Sequence, residues 1–210
     1  MIPKDAKIAA WDRMYDGEHP RWRGPAVHDL AVPAGARALE LGCGDGKTLR
    51  GLAGKGHGTV ALDFSRKALI SLGRRSIGEG EVLLVQGDGA ALPFASESFQ
   101  LVVAHHFFEH LEAEEMRSSA SEAARVLSPG GRLSVRSFAR KDLREGRGEE
   151  VGPSSFLREG ILYHYFGEDE LVDLFCGLSL DSVRTEVTTK RFAGELKSRA
   201  VVQAQFHKVL

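Results

Sequence analysis

Cysteine is scarce in this chain. Cys43 and Cys176 are too few and too far apart for a disulfide framework or a four-thiolate zinc site. A charge excess of either sign is also missing: 28 Lys and Arg stand against 29 Asp and Glu, a formal net charge of −1. That argues against a nucleic-acid binder working by bulk charge, which needs a basic surface. No stretch approaches ~18 uncharged apolar residues, the length of a membrane-spanning helix. Charges at Lys4, Asp5, Lys7, Asp12 and Arg13 break any signal-peptide core, so the expected setting is cytoplasmic, with no membrane partner. Fixed-period repeats and low-complexity segments are absent.

Glycine, by contrast, is abundant, at 24 of 210 residues or about 11%, against a usual ~7%. The glycines follow no Gly-X-Y period, so collagen is out, and at 42% hydrophobic the chain can bury a full core. The length fits one domain over residues 1–210. Apolar runs at 36–41, 58–64, 81–86, 99–106 and 132–138 read as strands. Helical spacing appears at 47–54, 66–75, 112–127 and 168–176, with Ser65 placed to cap the second and Pro129-Gly130-Gly131 to stop the third. Strands alternating with helices imply βαβ units and a parallel sheet. Residues 178–192 and 198–210 alternate in polarity around Ala193-Gly194-Glu195, which predicts an antiparallel hairpin at the sheet edge. Residues 1–25, with Trp11, Tyr15 and Trp22, read as a helical cap. Residues 139–160, charged and glycine-rich, read as a loop, part of an insert spanning 139–167 on the substrate side, and its glycines suggest a mobile cover.

The glycines gather at particular joints. Glu40-Leu41-Gly42-Cys43-Gly44-Asp45-Gly46 follows a strand and opens a helix, where glycine permits a tight turn and close backbone approach to a ligand. Asp63 ends the next strand, 21 residues beyond Gly42, where a carboxylate can accept from both hydroxyls of a ribose. Asp88 ends the third strand within Gly87-Asp88-Gly89, where it can accept from an amino group. Each has an ordinary reading too: a connecting loop, an acid favourable at a helix N-terminus, a turn aspartate. Three successive strands ending in ligand-type residues favour a binding site at the carboxyl ends of the sheet. It is not a dinucleotide site, because G-x-G-x-x-G would need glycine where Lys47 stands, and no phosphate loop is present.

The blocks 38–46 (ALELGCGDG), 60–65 (VALDFS), 87–111 (GDGAALPFASESFQLVVAHHFFEHL) and 125–135 (RVLSPGGRLSV) resemble the class I S-adenosylmethionine-dependent methyltransferases, in particular the type 11, ubiquinone/biotin-synthesis-like branch. The resemblance covers roughly 36–138. It implies an α/β, Rossmann-like doubly wound sheet of seven strands with an antiparallel C-terminal strand, and S-adenosylmethionine as cofactor. By the same resemblance Glu40, Gly42 and Gly44 line the methionine end, Asp63 binds the ribose, Phe64 lies against the adenine, and Asp88 with Gly89 holds the adenine edge. His105 would face the methionine part or the acceptor. Gln100 stands where the family usually has Asp.

His106-Phe107-Phe108-Glu109-His110 spells H-x-x-E-H, the inverted zinc-protease signature. That motif belongs inside a long helix, whereas here it follows a strand, so no metal is expected. His105 and His106 are the candidate general bases, while Glu109 and His110 have an ordinary reading as packing or capping residues at the turn. The acceptor should be chosen by segments outside the core sheet. Trp11, Tyr15, Tyr163 and His164 lead, with His19, Trp22, Arg23 and the cations of 140–147 behind them; Tyr163 and its neighbours read equally well as packing. Neither [ND]-P-P-[YFW] nor a Pro-Cys nucleophile occurs, which disfavours DNA as substrate. A small-molecule acceptor is the first expectation. A protein or tRNA acceptor is second, and a non-catalytic S-adenosylmethionine-binding partner third.

Overall fold

The computed structural model describes residues 2–16, 35–52, 58–74, 81–192 and 195–210. A seven-stranded sheet has the order β3-β2-β1-β4-β5-β10-β9. Its parallel part comprises β1 (Arg37–Leu41), β2 (Gly58–Asp63), β3 (Val82–Gln86), β4 (Phe99–His105) and β5 (Leu127–Phe138). The hairpin of β9 (Ser179–Phe192) and β10 (Glu195–His207) completes it, with β10 antiparallel to β5 and β9 outermost.

Position in the sheet explains the composition of each strand. The inner strands β1 and β4 are buried along nearly their whole length, with Leu39, Leu41, Val102 and Ala104 in the main core, because helices cover both faces of a parallel sheet. The edge strand β3 is only partly buried.

The predicted helices are present: α1 (Lys4–Met14), α2 (Leu49–Leu52), α3 (Arg66–Gly73), α4 (Ala113–Val126) and α5 (Glu168–Asp173). Ser65 caps α3 as its position suggested, its Oγ accepting from the Ala68 amide at 3.1 Å, and Ala68, Leu69 and Leu72 turn inward. The cap is worth about 1 kcal/mol. The predicted parts of the cap at 17–25, including His19, Trp22 and Arg23, lie outside the described residues, as do the ends of two predicted helices and the hairpin tip.

Two expectations are corrected. The fifth strand begins at Leu127 rather than at 132, so Pro129-Gly130-Gly131, expected to stop the helix, lies inside the strand. The helix ends at Val126 and the chain is extended from Leu127. The Gly130 amide then donates to the Lys208 carbonyl at 2.8 Å, so the end of β10 satisfies this stretch. The segment read as a loop also carries a second, three-stranded antiparallel sheet: β6 (Glu149–Gly152), β7 (Ser155–Arg158) and β8 (Ile161–His164). Its tight turns use positive φ at Ser154 (50°), after Gly152-Pro153, and at Glu159 (55°) with Gly160 (81°).

This small sheet packs with α1 over the end of β5. Ala10, Phe138, Ile161, Tyr163 and Tyr165 form one buried cluster there. Gln100, the departure from the family pattern, sits at the far end of the main sheet, taking the Arg37 amide at 2.8 Å and donating to Ser128 Oγ at 3.1 Å.

Candidate active site

The carboxyl ends of β1, β2, β3 and β4 open into one cleft whose wall includes Glu40, Gly42, Gly44, Asp63, Phe64, Asp88, Gly89, His105 and His106. Trp11 of α1 and Tyr15, the residue just after that helix, also line it. The glycine turn brings backbone to the wall. Gly42 has φ +65°, and a Cβ there would lie 2.8 Å from Phe107 Cδ2; one on Gly44, at φ +52°, would lie 2.5 Å from Tyr15 Oη. Any larger residue at either place would be strained and would fill the cradle.

Asp63 ties the turn to the helix behind it. Its Oδ2 accepts from the Gly44 amide and its Oδ1 from the Ser65 amide, both at 2.8 Å. Burial pushes this carboxyl up to about 6, against the pull of those two amides. A ligand whose hydroxyls donate to Asp63 prefers the ionised form, so its affinity rises with pH through about 6. Calorimetric titration with S-adenosylhomocysteine between pH 5 and 8 should show weakening below about 6. Asp63→Asn should flatten the profile, and an unchanged slope in that variant would assign the titration elsewhere.

Glu40 is 2% exposed, and its Oε2 has no hydrogen-bond partner. Burial, with smaller contributions from Asp63 and Asp45, raises its pKa well above the usual carboxylate range. A buried carboxyl with one unpartnered oxygen, beside a backbone cradle, fits a ligand whose positive charge would favour its ionised form.

Asp88 is already engaged. Its Oδ2 lies 2.6 Å from Lys4 Nζ of α1 and its Oδ1 accepts from the Ala90 amide at 2.9 Å. Burial raises its pKa, but Lys4 and that amide outweigh it and hold the carboxyl below its ordinary value. Phe64 lines the wall while its carbonyl accepts from Gln86 Nε2 at 3.2 Å.

The two neighbouring histidines differ. His105 is buried, with Nε2 2.9 Å from Ser134 Oγ, which also accepts from Gln205 Nε2 at 2.8 Å. His106 adopts φ +58°, a left-handed conformation costly for a side-chain-bearing residue. Its amide donates to the Arg136 carbonyl at 2.7 Å, and its Nδ1 lies 2.7 Å from Glu109 Oε1. Burial raises the Glu109 pKa, yet His106 and His110 prevail and keep it below the usual range. An ionised carboxylate only accepts, so His106 Nδ1 carries the proton and Nε2 is left as the basic nitrogen.

The H-x-x-E-H segment is a short 3-10 turn (Phe108–His110) rather than part of a long helix. His110 donates from Nδ1 to the Leu162 carbonyl at 2.7 Å, which ties the turn to β8. Among the described residues no three His, Cys, Asp or Glu side chains are grouped to hold a metal ion.

Tyr163 and His164, expected on the substrate side, are not among the lining residues. Tyr163 stacks on Phe138 at 6.3 Å and lies 4.6 Å under the Arg158 guanidinium, while His164 bridges Ser155 Oγ and Glu170 Oε1, each at 2.8 Å. The wall instead includes Lys47, Phe107, Phe138, Arg144 and Arg199. Lys47 follows the glycine turn and Phe138 ends a strand, but Arg199 lies in the alternating pattern of β10 with nothing in sequence to single it out.

Comparison with known proteins agrees with this layout. A family model described as a methyltransferase domain matches residues 39–135. An uncharacterised methyltransferase from Synechocystis sp. is 31% identical over 201 residues, covering 92% of this chain and 87% of that protein. A demethylmenaquinone methyltransferase from Clavibacter sepedonicus is 34% identical over 140 residues, covering 64% of this chain, and the chain spans only 56% of that relative's length. Among solved structures, the N-methyltransferase NodS from Bradyrhizobium japonicum, in complex with S-adenosylhomocysteine, superposes with a TM-score of 0.70 at 19% identity, covering 97% of this chain and 99% of that one.

Proposed function

We propose, from the premise that this chain belongs to the class I S-adenosylmethionine-dependent methyltransferases, that it transfers a methyl group to a small aromatic acceptor of the hydroquinone kind, the reduced form of a quinone. The observation that carries this reading is the cleft itself. It joins a glycine cradle, an orphaned Glu40 carboxylate and a carboxylate-supported His106 within one wall. The relative named for demethylmenaquinone supplies the acceptor class.

When bound, the cofactor supplies a methyl group already activated on a sulfonium. The protein's task is therefore position and charge rather than activation. The turn at Gly42 and Gly44 and the Asp63 carboxylate would hold the nucleoside and methionine parts. Glu40 would balance the positive charge. Trp11, Tyr15 and Phe138 would flank a flat acceptor and keep water out. His106 Nε2 would take the proton from the acceptor's hydroxyl as that oxygen attacks the methyl carbon in line. The bond given up would be the donor's methyl–sulfur bond, its electron pair left on sulfur. Glu109 would stabilise the imidazolium so formed.

The test is methyl transfer from labelled S-adenosylmethionine to 1,4-naphthohydroquinone and to a protein and tRNA fraction. The expected result is label on the naphthohydroquinone. Label confined to the macromolecular fraction, or none at all from a chain that binds S-adenosylhomocysteine, would overturn the small-molecule reading.

A further inference from the structure

Besides Lys4 and Lys7, which pair with Asp88, Glu112 and Glu115, the cleft wall carries a second group of cations. Lys47, Arg144 and Arg199 line the cleft, and Arg136 of β5 is near enough to repel both Lys47 and Arg199. They come from the glycine turn, the segment after β5, and β10, so they are distant in sequence.

Two of the four are neutralised. Arg144 grips Asp142 with two nitrogens, at 2.6 and 3.0 Å, and lies 3.9 Å over the Phe138 ring. Arg136 reaches Glu186 at 3.2 Å and Gln203 at 3.0 Å. Asp142 is fully committed, since its Oδ2 also accepts from the Ala200 amide at 2.8 Å. Lys47 and Arg199 have no ion-pair partner among the described residues. Both are partly buried. Burial first, then Arg199 and Arg136, hold Lys47 below its ordinary pKa against a weaker pull from Asp45; burial first, then Arg144, hold Arg199 below its own against the pull of Asp142.

A fold gains nothing by burying two like charges together. The arrangement becomes favourable when an anion sits between them, because charge-assisted hydrogen bonds in a partly dry site are strong. Beside these cations stand the aromatic walls Phe138, Trp11 and Tyr15, and then His106.

We infer that Lys47 and Arg199 form an anion subsite and that the acceptor is an aromatic hydroxy acid, its acidic group held there and its hydroxyl presented to His106. The inference rests on the methyltransferase reading above and adds a charge requirement to it. The same chemistry could instead receive the cofactor's own carboxylate, so the experiment separates these two sources.

Calorimetry on the protein loaded with S-adenosylhomocysteine compares 1-hydroxy-2-naphthoate with 1-naphthol, a pair differing in one carboxylate. The naphthoate should bind at least about tenfold more tightly at low salt, and the preference should shrink as salt is raised. Lys47→Gln and Arg199→Gln should each reduce it severalfold, with S-adenosylhomocysteine affinity within about twofold of the unsubstituted chain, which also shows that the variants are folded. Equal binding of the two probes, or no binding of either to loaded protein, would overturn the inference while leaving the methyltransferase reading in place. Variants that bind S-adenosylhomocysteine about tenfold or more weakly, yet keep the naphthoate preference once saturated with it, would assign the cations to the cofactor. Failure of the unsubstituted chain to bind S-adenosylhomocysteine would instead overturn the underlying reading.

Discussion

Asp63→Ala is expected to bind S-adenosylhomocysteine at least about a hundredfold more weakly than the unsubstituted chain, a loss of about 3 kcal/mol. Two effects add. The ribose loses a charged acceptor, each such hydrogen bond being worth about 1.5–3 kcal/mol. The Gly44 and Ser65 amides lose their shared partner, so the turn is no longer held against the start of α3. The second effect also lowers stability, and the measurement therefore pairs titration calorimetry with a melting curve. Asp63→Asn separates them, because its side-chain oxygen can still take one of the two amides. It should melt close to the unsubstituted chain and still bind about tenfold more weakly. A folded Asp63→Ala with unchanged affinity would show that the ribose lies elsewhere.

His106→Ala is expected to lower kcat by about 10²–10⁴ while leaving S-adenosylhomocysteine affinity within about threefold, the range for a positioned general base. Glu109→Gln keeps the histidine but removes the carboxylate that fixes its tautomer. It should cost less and shift the pH dependence of kcat, a change that mere packing damage would not cause. His105→Ala serves as the comparison: its Nε2 is engaged with Ser134 Oγ, so its loss should affect kcat less than that of His106. Single-turnover transfer of labelled methyl to 1,4-naphthohydroquinone measures all three. Full activity in His106→Ala would remove the base from the mechanism.

Local signals made much of this protein legible. Inner parallel strands are covered on both faces, so ARALEL and LVVAHH had to be nearly continuous apolar runs, and they stand out as such. Ser65 announced a helix start because a cap acts within four residues. Gly42, Gly44 and Asp63 were readable because the turn and the acid that fastens it are consecutive strand ends of one βαβ unit. The small sheet at 149–164 is hard to read from sequence because its strands are only four residues long and show no clear polar–apolar alternation, although Gly152-Pro153 and Gly160 stand at its turns.

The site's outer wall followed a different rule. Tyr163 and His164 had the right residue types, but β8 lays them into packing against Phe138 and Glu170, which only the pairing of β7 with β8 and the docking of α5 decide. Arg199 has no local mark at all. It reaches the cleft because β10 inserts antiparallel beside β5, a contact between segments some sixty residues apart. By itself the sequence determined the glycine-turn end of the cleft, since strand, turn and acid are specified by neighbours along the chain. The tertiary structure alone decided which histidine a buried carboxylate supports and where cations gather, since charge and hydrogen-bond partnerships depend on distances that only the packed sheet sets.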